Sequence, residues 1–138
     1  MHKLLSAVAV SVGLVLTAIP AVAHHAFSAE FDATRPIKFQ GVLTKVEWIN
    51  PHAWLHLDVR KPDGKVESWM IEMGAPNALF RRGITKNSLP IGTVIGVSGF
   101  QAKDGDTRGN GRDLTFTDGK KLFVGSSGTG APDERPEK

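Results

Sequence analysis

The chain has 138 residues, with 17 basic and 14 acidic side chains and no cysteine. Without cysteine, neither a disulfide nor a cysteine-ligated metal is open to it, so an apolar core must hold the fold. A net charge of +3 is too small to mark a nucleic-acid surface, and no nucleic-acid partner is expected.

At the N-terminus Lys3 precedes the apolar run Leu4 to Ala18, followed by Pro20 and the small triplet Ala21-Val22-Ala23. This is the pattern of a secretory signal peptide over residues 1–23, and the run is shorter than the roughly 20 apolar residues that cross a bilayer. Cleavage would leave 115 residues beginning at His24, one domain's worth. The expected product is periplasmic and soluble, with no membrane anchor.

Residues 24–35 lack clear periodicity and read as an extended arm that Phe27 and Phe31 can pin to the body. In the first strand Ile37 and Phe39 share a face. After Gly41 the apolar set moves to Val42, Val46 and Trp48, a one-residue phase slip of the kind a β-bulge makes.

Asn50-Pro51 turns the chain into a second strand. There Ala53, Leu55, Leu57 and Val59 alternate with His52, Trp54, His56 and Asp58, which predicts one buried and one polar face. The turn Pro62-Asp63-Gly64-Lys65 leads into a third strand, Val66 to Met73, with Trp69, Ile71 and Met73 on one face. Pro76, Leu79 with Phe80, and Gly83 supply the start, apolar stripe and stop of a helix of about two turns.

Thr93 to Phe100 is the expected fourth strand. Gln101 to Asp113, rich in glycine and charge, reads as a mobile loop, and Asp118-Gly119 as a hairpin turn between Leu114–Thr117 and Lys121–Val124. Residues 125–138 carry no hydrophobic payload and are expected to be disordered. Three meandering strands, a helix, two further strands and a bend in the first match the five-stranded OB barrel: all-β with one short helix, over residues 36–124. A β-sandwich usually needs about seven strands and does not account for a helix after the third.

No complete catalytic motif is present: there is no Gly-x-Ser-x-Gly and no His-Glu-x-x-His. The chemistry available lies at the mature N-terminus and on the polar face of the second strand. A free α-amine and imidazole at His24, with His25 behind it, form a nitrogen-rich donor set of the kind copper(II) favours. His52, beside the Pro51 turn, is the better third donor, because four residues of strand separate it from His56 by about 13 Å. Glu72 is placed to orient the His52 ring, while Asn77 and Arg82, on the short helix, are candidate contacts for a carboxylate or phosphate.

Three function classes follow. The first is an exported OB-like module that recognises a partner protein or small ligand through the Trp54 and His52 face. The second is a copper protein using His24, His25 and His52, and the third a divergent enzyme or enzyme accessory subunit.

Several segments in order, His24-His25-x-Phe27, Asn50-Pro51-His52-x-Trp54, Trp69-x-x-Glu72, Pro76-Asn77-x-Leu79-x-Arg81-Arg82-Gly83, Pro90-x-Gly92 and Asp118-Gly119, resemble a family of small exported bacterial proteins of unknown function. The resemblance spans roughly Ala23 to Gly125. It implies export, one small β-domain and a shared site at His24, His25, His52 and Glu72, and it implies no particular activity.

Overall fold

The structure, a computed structural model, describes residues 27–126 and residue 129. The expected signal peptide, His24 and His25 lie outside the described residues, as does most of residues 125–138. The strands are β1 (Phe31–Glu47), β2 (Trp54–Arg60), β3 (Val66–Glu72), β4 (Val94–Ala102), β5 (Arg108–Phe116) and β6 (Lys121–Phe123). One α-helix, α1 (Pro76–Arg81), and a 3-10 turn (Lys86–Ser88) stand between β3 and β4, and residues 27–30 form a helical turn.

The sheet runs β3-β2-β1-β4-β5-β6, and a parallel pairing of Met70, Ile71 and Glu72 on β3 with Arg108, Gly109 and Asn110 on β5 closes the first five strands into a barrel. This strand order, with the helix after the third strand, is that of the OB fold. Among the described residues, no helix is long and apolar enough to cross a membrane.

Closure depends on β1 serving two neighbours. Its first half pairs with β4 and its second with β2, and Val42 at the crossover meets both Asp58 and Val94. The register slips between Leu43 and Lys45, so the bulge falls at Thr44, and the Thr44 hydroxyl donates to the His56 carbonyl at 3.1 Å. The phase change expected at Gly41 therefore comes three residues later, and Val42, expected to face inward, is 41% exposed. Gly41 has a different purpose. A Cβ there would stand 3.0 Å from the Asp58 carbonyl and 3.2 Å from Leu57 Cβ, so glycine lets β1 cross β2 closely.

The alternation in β2 is kept: Ala53, Leu55 and Leu57 are fully buried, and Ile71, Met73, Ile95 and Leu114 meet them inside the barrel. Leu79 of α1 plugs the same core, and Phe80, half exposed, stacks on Trp48 with ring centroids 5.2 Å apart. Gly83 ends the helical segment at φ 77°.

Two stretches differ from expectation. Strand β1 begins at Phe31, inside the expected arm, because Phe27 and Phe31 pack with Phe100 and Ala102 in a second cluster that holds the entering chain against β4. The expected loop from Gln101 to Asp113 is mostly strand: β4 runs to Ala102 and β5 starts at Arg108. Two of its glycines, Gly109 and Gly111, are packing positions. A Cβ on Gly109 would lie 2.5 Å from Ile37 Cδ1 of β1, and one on Gly111 2.6 Å from Ile71 Cγ2 of β3, so glycine lets β5 lie close against both side chains. At the far end Gly125 is buried, and residue Thr129 is 8% exposed.

Candidate functional site

The barrel seam places three polar side chains together on one rim. Beyond β2 the ladder continues through Ala53, whose N–H donates to the Gly74 carbonyl at 3.1 Å and whose carbonyl accepts from the Met73 N–H at 2.8 Å. This pairing brings His52 alongside Glu72. The His52 Nδ1–H donates to Glu72 Oε1 at 3.1 Å. Across the seam Asn110, the parallel partner of Glu72, donates from Nδ2 to the same oxygen at 3.3 Å.

Glu72 is 7% exposed and Asn110 3%, so the carboxylate is withdrawn from water and held by two donors, whereas the His52 side chain keeps 31% of its surface open. The hydrogen bond that His52 donates to Glu72 raises the His52 pKa above its ordinary value; burial opposes this, and the charges of Glu72 and Glu30 add to it. With Nδ1–H committed to Glu72, the neutral ring presents the Nε2 lone pair to a ligand, and the carboxylate makes that nitrogen more basic.

Trp54, half-buried, stands opposite Glu72 in the β2–β3 register. The entering chain is tied to the end of β4, where the Lys103 N–H donates to the Glu30 carbonyl at 2.9 Å, and Arg108 of β5 pairs with Glu30 at 3.5 Å.

The structure thus groups His52, Glu72 and Trp54 and separates the other expected contacts from them. His56 Nε2 meets Glu47 Oε2 on β1 at 2.8 Å. Asn77 is exposed on α1, whose cap is Ala75. Arg82 donates from Nη1 to the Gly125 carbonyl at 2.6 Å and lies 4.9 Å over the Phe123 ring, which fastens the chain after β6 to the helix. Asn110 was hidden from sequence reasoning by the loop assignment. Its signal is the alternation of Arg108, Asn110 and Arg112 with Gly109 and Gly111, a strand whose inward residues are glycines. Among the described residues, no three histidine, aspartate or glutamate side chains gather closely enough to hold a metal ion by themselves.

A closed β-β-β-α-β-β barrel with a His–Glu–Asn cluster on its seam defines an OB-type domain with a polar rim. The chain belongs to a family of unknown function, DUF6152, whose sequence model matches residues 10–112. Among solved structures it is similar to the dimeric N-terminal domain of PriB protein from Thermoanaerobacter tencongensis. Identity is 17% and the TM-score 0.39, over 61% of this chain and 97% of that one. No curated protein matches the chain.

Proposed function

We propose that the protein is an exported binding module whose working group is His52, and that its ligand is an electron-pair acceptor taken by the outward Nε2. The single observation that carries this reading is the buried Glu72 carboxylate against Nδ1, fixed in turn by Asn110. A neutral imidazole beside a carboxylate is electron-rich and the pair is net negative, which favours a metal ion over an anion.

Copper(II) suits the donors available. His24 and His25 precede Phe27 by only three and two residues, and Phe27 is buried against Phe31 and Phe100. On this reading the α-amine and the further imidazoles, within about 10 Å of chain from Phe27, supply the remaining donors. One imidazole alone makes a weak site; shared donors would make a tight one.

Copper(II) titrated into three samples tests the reading: the protein beginning at His24, the same with one residue added before His24, and His52→Ala. Blocking the terminal amine and removing the ring should each weaken binding about tenfold or more, which is about 1.4 kcal/mol. Equal affinity in all three would overturn the metal reading, leaving the Trp54 and His52 rim as a surface for a small organic ligand or partner protein.

A further inference from the structure

The outer face of β1, β4, β5 and β6 forms a second recess, sharing no residue with the rim. It is an open groove of about 620 Å³, within the range of about 300 to 1,000 Å³ that small-molecule sites occupy. Cross-strand register lays out its floor in two rows. Lys38 faces Ser98, and Gln40 faces Gly96, which faces Thr115, which faces Lys121.

Among the described residues, the Lys38 and Lys121 ammoniums have no carboxylate in ion-pair range, and the side chains of Gln40, Ser98 and Thr115 have no hydrogen-bond partner. Asp113, the single acid in the groove, is paired with Arg112 at 3.6 Å. The recess is therefore cationic at two corners, with neutral donors and acceptors and the Arg112-paired Asp113 between them.

The lysines stand on β1 and β6, three strand spacings apart, about 14 Å between backbones. Strand side chains stand roughly perpendicular to the sheet, so the ammoniums stay apart and the charge pattern suits a ligand with separated negative groups and hydroxyls between them better than one small anion. A nucleic-acid strand would need exposed aromatic faces for its bases. The groove's one aromatic, Phe39, turns into the barrel and packs on Trp69 with centroids 4.7 Å apart. We propose that this groove binds a short acidic oligosaccharide, its carboxylates on Lys38 and Lys121 and its hydroxyls on Gln40, Ser98 and Thr115.

Gly96 keeps the floor low enough for a sugar ring. A Cβ there meets nothing closer than the Thr115 carbonyl at 3.5 Å, so Gly96→Ala fits, whereas a long side chain would rise into the groove.

Calorimetric titration of the full chain with trigalacturonate should show saturable binding that the neutral trisaccharide maltotriose lacks. Lys38→Ala and Lys121→Ala should each weaken it about fivefold, Gly96→Met should abolish it, and Gly96→Ala should retain most of it. Copper affinity should be unchanged in the lysine variants, since the two sites share no residue. No binding of trigalacturonate, equal binding of maltotriose, indifference to both lysine substitutions, or stronger binding of an oligo-dT strand would each overturn the proposal.

Discussion

His56 lies on β2 and His52 two residues before that strand begins, and each meets a glutamate, yet the two pairs differ in kind. Glu72, the partner of His52, has 9% of its side-chain surface exposed and lies on the seam where three strands converge. Glu47, the partner of His56, has 28% exposed and is shared with Lys45 at the end of β1. At the rim the imidazole carries the shift, with Glu72 as its largest cause. At the end of β1 Glu47 is held below the usual carboxylate range, by Lys45 first and His56 second. Burial of the carboxylate, more than the presence of a His–Glu contact, separates a fixed pair from a solvated surface pair.

The largest effect should come from the core beneath both pairs. Leu57 is fully buried next to His56, so Leu57→Ala should cost about 2 to 5 kcal/mol in chemical denaturation. Both histidine pairs should persist in that variant, and an unchanged stability would show that the face carrying the histidines had been misassigned.

Next in size is the rim. Glu72→Ala leaves the Asn110 amide and the His52 Nδ1–H without their acceptor, which should cost about 1 to 3 kcal/mol. Glu72→Gln keeps the shape and removes the charge, so the His52 pKa, followed by ring proton NMR, should fall. The sign of the pH dependence follows from the raised folded-state value. The His52 contribution to stability is fully present below its unfolded pKa of about 6.5 and is lost as pH rises through the folded value. The stability gap between wild type and Glu72→Gln should therefore be wider at pH 6 than at pH 8; a gap independent of pH would break the comparison.

The smallest effect should be at Glu47. Glu47→Gln should leave the melting temperature unchanged, and a loss as large as that of Glu72→Ala would place the two pairs in one class.

The alternation of β2, the turns at Gly64 and Gly119 and the helix between Pro76 and Gly83 were legible in the sequence because each rests on local chemistry: period, turn glycine or proline. What was not legible depends on strands far apart in the chain. Gly41 reads as a bulge residue by type, but its requirement comes from β2 crossing over it, and the bulge sits at Thr44. Gly109 and Gly111 read as loop residues, but theirs comes from Ile37 and Ile71, which occupy the space of their missing side chains. Of the candidate site, His52 and Glu72 could be inferred from the faces of two consecutive strands. Asn110 could not, since nothing local announces that a glycine-rich stretch will close a barrel.

The seam between β3 and β5 consists of three residue pairs, and Glu72 and Asn110 form one of them. His52 is bonded to the same carboxylate oxygen that Asn110 spans the seam to reach, so the rim exists in full only once the last long-range pairing has formed. A ligand at His52 would thus act as a clasp: by mass action it would favour the closed barrel over any form in which β5 has parted from β3. Occupancy and closure would become a single equilibrium, one in which loading the site keeps the protein shut.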